Sequence, residues 1–265
     1  MRITHHAAEL IREQIEYREL LVRITARDMT LRYKQTIMGF GWAVFMPLLN
    51  TAIFSVIFTR VAPLDVGVPY PVFAFCGLLA WNWFASSLRF AVTSLTSNSN
   101  LVTKVYFPRE ILPFSAVAVA AVDFAVASVV LVALLAWYHI VPGWTVLWLP
   151  AVCAVQLLFT IGVALLVAMG NLFYRDVKYL FEVVIAVWMF GTSVVYPVGR
   201  VGGRLGLLLA LNPMTHVIDA YRAVLLDGSA PAAGAFAATA VVAAITCGAA
   251  WLLFHAAEFR FAENV

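Results

Sequence analysis

Six long apolar runs alternate with short polar breaks, near residues 38–59, 71–93, 111–138, 145–169, 179–197 and 234–256. A hydrocarbon core about 30 Å thick needs about 20 helical residues at about 1.5 Å of rise each. The pattern therefore predicts six transmembrane helices, the fifth the shortest. Residues 7–34 are periodic rather than continuously apolar. Leu10, Ile11, Ile15, Leu21, Val22 and Met29 cluster toward one side at helical spacing, with Arg12, Glu16, Glu19, Arg23 and Arg27 largely on the other. Arg12–Glu16 and Glu19–Arg23 are opposite-sign pairs four apart. This predicts an amphipathic helix lying in the interface plane. Gly39 and Gly41 then fit either a hinge into the first span or ordinary small residues of a membrane helix.

The stretch 197–230 is also apolar, but Gly and Pro interrupt it. Its LGLLLAL piece is too short to span and reads as a partial membrane entry. Asn212 is placed to cap a following helix that opens with Pro213, and Gly228 to end it in the left-handed conformation. Broken elements of this kind survive at membrane depth only against protein or beside a wet cavity.

Composition strengthens the membrane reading. Of 265 residues, 63% are hydrophobic and 12% charged, against about 25% charged in soluble domains. Such a chain cannot coat a globule with polar surface. Lys and Arg set the orientation. Seven precede the first run; Lys104 and Arg109 follow the second, Arg175 and Lys178 the fourth, and Arg260 lies in the tail. The N-terminus, two short loops and the C-terminus are thus predicted to be cytoplasmic. Arg200, Arg204 and Arg222, after the fifth run, run against this bias. The first 20 residues show no continuous apolar run of the signal-peptide kind, so a signal peptide is not expected there. Cys76, Cys153 and Cys247 sit in apolar runs without metal-ligand spacing and read as small buried hydrophobes.

The two loops, 97–113 and 170–182, mix aromatics with charge. That combination fits a partner surface or anchoring at headgroup level. No phosphate-cradling G-x-x-x-x-G-K-[ST] loop is present, so no nucleotide site is expected on this chain and any energy input would come from elsewhere. Asp123 lies within the third span, where an ionised group needs a partner or water. Arg89 on the second span is a candidate partner, and a structural hydrogen-bonding role for Asp123 is favoured over a proton relay. Glu182 is placed at the interface. Asp219 and Arg222, three apart, are expected to pair or to gate the outer mouth. Ser193 and His216 lie in different elements without a nucleophile motif, which argues against an intramembrane enzyme. A secondary transporter would need matched polar sites at mid-membrane, and only Asp123 qualifies.

Four blocks carry a resemblance: LRYKQTIMGFGWAVFMPLLN, PYPVFAFCGLLAWNWF, SNSNLVTKVYFPREILPFSAV and LNPMTHVIDAYRAVLL. In this order they resemble the permease subunits of bacterial polysaccharide-exporting ABC transporters, which carry O-antigen, capsule or teichoic acid. The resemblance implies an all-α polytopic permease of six transmembrane helices, with an N-terminal amphipathic interfacial helix and short outer re-entrant helices. Residues 1–37 would form the cytoplasmic amphipathic part and 38–258 the permease domain, with coupling loops at 97–110 and 170–180 and the outer re-entrant segment at 197–228. Residues 259–265 would be a cytoplasmic tail.

The implied site residues follow. Asn100, Lys104, Tyr106, Phe107, Pro108, Arg109, Tyr174, Arg175 and Asp176 would couple to the ATPase, with Tyr106 and Phe107 filling an apolar cleft and Lys104 and Arg109 meeting rim acids. Phe54, Phe58, Trp81 and Trp83 would line a path on which sugar faces slide, although belt and packing roles explain most of the aromatics. Tyr196, Asn212, Asp219 and Arg222 would form the outer gate. Expected partners are a second copy, two ATP-binding-cassette subunits that hold ATP and Mg²⁺, a lipid-linked glycan and the bacterial inner membrane, with no nucleic acid. No catalytic residue, metal or cofactor is expected on this chain. Capsule, teichoic-acid, lipid or drug export is the alternative reading of the cargo.

Overall fold

The computed structural model describes residues 15–34, 36–39 and 41–261, which contain helices and no strand. In chain order the helices are α1 (Arg18–Tyr33), α2 (Gly41–Val56), α3 (Tyr70–Ser97), α4 (Ser99–Lys104), α5 (Ile111–Trp137), α6 (Leu149–Phe173), α7 (Val177–Phe190), α8 (Gly203–Ala210), α9 (Pro213–Leu225) and α10 (Ala233–Ala257). A wider π-helical turn, Ile57–Val61, extends α2, and a 3₁₀ turn, Trp144–Trp148, leads into α6. The predicted Arg12–Glu16 pair and the end of the tail involve residues outside the described ones, whereas Arg23 does pair with Glu19, at 2.7 Å.

α3 is the central post. Its 28 residues rise about 42 Å, and α2, α5, α6, α7 and α9 all pack on it. Small residues along its length, including Ala74, Gly77, Ala80, Ala85, Ser87 and Ala91, are buried and let neighbouring helices approach. α6 and α10 form the other close pair. A Cβ on Gly162 would fall 2.8 Å from the Cys247 backbone nitrogen and 2.9 Å from its Cα. α2, α5 and α10 bury little of their apolar surface within one chain.

A second apolar cluster closes one end of the bundle. Ile24 of α1, Leu95, Val102, Phe107, Ile111, Leu172, Phe254 and Phe261 meet there. α1, α4, the α6–α7 turn and the C-terminal turn therefore share one end, called here the α1 end. The α9 end is opposite, where the Tyr70 hydroxyl donates to Val195 O at 2.8 Å and the Thr145 hydroxyl to Val224 O at 2.9 Å.

Five helical segments among the described residues are long and apolar enough to cross a membrane: Gly41–Val61, Tyr70–Ser97, Ile111–Trp137, Trp144–Phe173 and Ala233–Arg260. The fifth predicted run differs. It forms α7, whose 14 residues rise only about 21 Å; turns and a 3₁₀ segment then occupy 191–200. Hydropathy is blind to this break because Val194, Val195, Tyr196 and Pro197 are as apolar as a span. The cap position of α4 belongs to Asn98, whose side chain bonds to the Ser94 carbonyl and to Arg27 instead. Asn212 and Pro213 take their predicted places at the start of α9, with Met214 N–H donating to Asn212 Oδ1 at 3.1 Å. Gly39 and Gly228 adopt positive φ, 52° and 60°.

Gly162→Ala should lower the apparent melting temperature of the detergent-purified protein, through overpacking worth about 1–3 kcal/mol. Gly234→Ala, with no neighbour within 4 Å, should not. Equal melting curves for the two variants would contradict the close α6–α10 approach.

Candidate functional site

Charge docks α1 on the bundle, against expectation. The predicted arrangement turned Arg27 away from the apolar side. In the structure the face continuing from Leu20 and Ile24 carries Arg27, Asp28 and Arg32 onto α3 and α5, while Val22 and Leu31 are exposed. Arg27 Nη2 donates to Asn98 Oδ1 at 2.9 Å and to Asp28 Oδ1 at 2.7 Å, and the Ser115 hydroxyl donates to Asp28 Oδ2 at 3.1 Å. Helical periodicity ranks faces by apolarity and cannot see that α3 and α5 offer polar partners.

Asp123 is the far anchor of this face. Arg32 Nη1 lies 2.5 Å from Asp123 Oδ2, and the Tyr33 hydroxyl donates to Oδ1. Burial, and then that hydrogen bond, pushes the Tyr33 phenol up, so it remains a neutral donor. The Arg32 guanidinium also sits 4.2 Å from the Phe90 ring centroid. The candidate Arg89–Asp123 pair does not form: Arg89 Nε meets Glu182 Oε2 of α7 at 3.2 Å. Asp123 thus holds α1 to α5, a structural hydrogen-bonding role. The signal for its partner was faint. Arg32 and Tyr33 lie about 90 residues away, and Arg32 entered the sequence reading only as one more positive charge.

These groups line a cavity of about 540 Å³ between α1, α2, α3 and α5. Its walls combine Trp42, Trp83 and Phe124 with Arg32, Tyr33, Asn82, Ser86 and Asp123. Trp83 packs on Phe124 at 4.7 Å between centroids. Pro47 also lines it and has no N–H, so the Ala43 carbonyl, on the same wall, lacks its helical donor. Flat apolar faces beside hydrogen-bonding groups suit an amphipathic solute better than a hydrocarbon one.

The other aromatics named from sequence divide. Trp81 is core, packed on Phe84 at 5.6 Å and Trp188 at 6.4 Å. Phe54 and Phe58 stack at 6.4 Å and continue onto Tyr70, at 5.4 Å from Phe58. A residue string cannot distinguish these cases, because stacking partners come from other helices.

The expected coupling residues gather at the α1 end. Tyr106 is 92% exposed and Tyr174 74% exposed, with Asn100, Lys104, Arg175 and Asp176 also at the surface. Phe107, in contrast, is 5% exposed and packs inside the chain, and Pro108 is buried. Arg109 is engaged internally as well. Its guanidinium donates to Val102 O at 3.1 Å and to the Glu258 carbonyl. Adjacent aromatics thus have opposite fates: Phe107 packs into the apolar cluster at this end, whereas Tyr106 is left at the surface.

The four outer residues lie close together at the α9 end. Arg222 is buried and donates to the carbonyls of Ser193, Val194 (2.6 Å) and Phe73 (3.3 Å) and to Ser193 Oγ at 3.0 Å. Asp219 accepts from Ser193 Oγ at 2.6 Å and stands 3.7 Å from Arg222, the predicted pair. Asn212 donates to Gly191 O at 2.8 Å and Thr192 Oγ1 at 2.7 Å, and accepts from Trp188 Nε1 at 3.1 Å. The Tyr196 hydroxyl donates to the Phe190 carbonyl. Most of these contacts tie down the non-helical stretch after α7, through Gly191, Thr192, Ser193, Val194 and Tyr196. Gly77, unremarked in the sequence, makes room: its Cβ would meet Val194 O at 2.3 Å and Arg222 Nη2 at 2.5 Å.

The sequence profile described as ABC-2 type transporter matches residues 19–226, from α1 to the end of α9. The chain belongs to the ABC-2 type transporter family. Among its relatives is the O-antigen export system permease protein RfbA of Myxococcus xanthus, 31% identical over 259 residues, covering 97% of this chain and 99% of the relative. Two Klebsiella pneumoniae proteins of that name are 32% and 31% identical over 213 and 212 residues, covering about four fifths of each chain. This ABC-2 protein is a multi-pass membrane protein, and its family implies an ATPase partner.

A thermal or denaturant double-mutant cycle should separate the Arg32–Asp123 pair from its surroundings. Asp123→Ala strands the Arg32 cation and should cost about 3 kcal/mol. Arg32→Gln with Asp123→Asn should cost less than the two single changes combined, leaving a coupling of about 1–3 kcal/mol. Strict additivity would show that the pair does not hold α1.

Proposed function

We propose that this chain is the membrane subunit of an ATP-driven exporter that moves a lipid-linked, O-antigen-like polysaccharide outward across the bacterial inner membrane. The observation that carries the reading is the nearly end-to-end match with an O-antigen export permease. Two chains with two ATPase subunits form the working unit, and the α1 end, with both termini, faces the cytoplasm. The excess of Lys and Arg at that end supports the orientation. The poorly buried apolar faces of α2, α5 and α10 leave surface for lipid and for a second copy. The chain performs no covalent chemistry in this reading.

Exposed Tyr106 and Tyr174, flanked by Lys104, Arg175 and Asp176, support docking to the ATPase at this end. Phe107 braces the loop from inside rather than entering a partner cleft. The cavity between α1 and α5 supports a glycan-facing role for Trp83, while Trp81 holds the core. Capsule or teichoic-acid cargo uses the same architecture and is an outcome of the test.

Deleting the gene in its host should remove a surface glycan and accumulate its lipid-linked form in the cytoplasm, with restoration by a plasmid copy. A surface glycan profile and lipid-linked pool unchanged by the deletion would dispose of the reading. Tyr106→Ala with Tyr174→Ala should leave the melting temperature unchanged but abolish export and weaken ATPase binding. Phe107→Ala should instead destabilise the fold, by about 3–5 kcal/mol. Loss of export only with loss of folding, in both variants, would argue against a docking surface.

A further inference from the structure

Beneath the exposed loop, three potential metal ligands converge from two parts of the chain. Glu110 stands at the start of α5, His255 in the last turn of α10 and Glu258 in the following 3₁₀ turn. One ligand atom of each lies within 4.8 Å of the others. Glu110 is unusual. Its side chain is 1% exposed, yet neither carboxylate oxygen has a hydrogen-bond partner among the described residues. A carboxylate taken out of water demands compensation.

His255 Nδ1 is 3.5 Å from Glu110 Oε1 and 3.6 Å from Glu258 Oε2. A charge-assisted hydrogen bond would draw such atoms to about 2.7–2.9 Å. These two gaps fall in the range of the edges of a coordination tetrahedron, and the ligand oxygens of Glu110 and Glu258 lie within 4.8 Å of each other. With metal–ligand bonds of about 2.0–2.2 Å, donor atoms stand about 3.3–3.6 Å apart. The outer shell is also in place: the Arg109 main-chain N–H donates to Glu258 Oε1 at 3.2 Å, orienting that carboxylate. His255 and Glu258 are partly exposed, 39% and 20%, which leaves an entry route and an open fourth position for water.

We propose that Glu110, His255 and Glu258 bind one divalent transition-metal ion of the zinc type, which clips the start of α5 to the C-terminal end of α10. One imidazole nitrogen and two carboxylates form a borderline-hard set that suits such an ion better than Ca²⁺ or Mg²⁺, which favour all-oxygen cages. The site's role is structural: it joins the segment following Tyr106 to the last helix of the bundle. It stands independently of the cargo, since none of the three ligands lines the α1–α5 cavity.

The test uses full-length, detergent-purified protein with any affinity tag removed and with metal stripped by chelator. Zn²⁺ is titrated against a chromophoric chelator, and metal content is measured after desalting. About one ion per chain should be retained, and Co²⁺ in its place should give the visible absorption of a four-coordinate site. His255→Ala and Glu258→Gln, at partly exposed positions and with folding checked by an unchanged elution profile, should each weaken binding at least about tenfold. His5→Ala with His6→Ala should leave it unchanged. No retained ion in the parent protein, parent-like binding in the His255 and Glu258 variants, or loss of binding with the His5/His6 change would each overturn the proposal.

Discussion

In hydrocarbon no water is available to satisfy a peptide group, so every break in a helix must be repaired by the protein itself. This constraint is met at one place above all, the stretch from Gly191 to Val198 after α7. Arg222 supplies donors to the freed carbonyls of Ser193 and Val194 and reaches Phe73 O on α3. A lysine would bring one compact point charge; the planar guanidinium presents five donors in a fixed fork and bonds several acceptors at once. Its flat face lies 3.5 Å from the Phe73 ring centroid, which stabilises the cation without a second carboxylate. The neighbouring helix must be smooth for this to fit, hence Gly77. The turns that follow the short α7 depend on that repair.

The opposite end solves a different problem. α1 fully buries only Ile24, and its cations and Asp28 are in addition matched to Asn98, Ser115 and Asp123. Removing charges from water is costly, and the contacts offset that cost only in good geometry. Such a helix is therefore positioned specifically rather than merely tethered. Its position also creates the cavity, because Arg32 and Tyr33 form one wall while α2, α3 and α5 form the others. Phe107 and Arg109, both turned inward, hold the neighbouring loop so that Tyr106 stands free.

Particular residues show where reading along the chain succeeds. Asn212, Pro213 and Gly228 punctuate α9 as expected, since caps and left-handed residues act over a few bonds. The Asp219–Arg222 and Glu19–Arg23 pairs lie one helical turn apart and were likewise visible. Asp123 is legible as a group that needs a partner, but its partner is Arg32, while the candidate Arg89 meets Glu182. Trp81 and Trp83, two residues apart with the same chemistry, are indistinguishable along the chain; one is core and the other lines a cavity.

Apolar run length, charge bias and local punctuation belong to the chain itself, because hydrocarbon acts on each helix separately and capping acts within a turn. From them follow a multi-pass helical protein, the places where its helices begin, and the side on which positive charge accumulates. Tertiary structure alone decided that α7 stops short, that Arg32 rather than Arg89 meets Asp123, that Phe107 is internal and that Glu110, His255 and Glu258 converge. Each of these is a meeting between residues distant in sequence. Short-range electrostatics and close packing, which settle such meetings, depend on distances that only the folded chain creates.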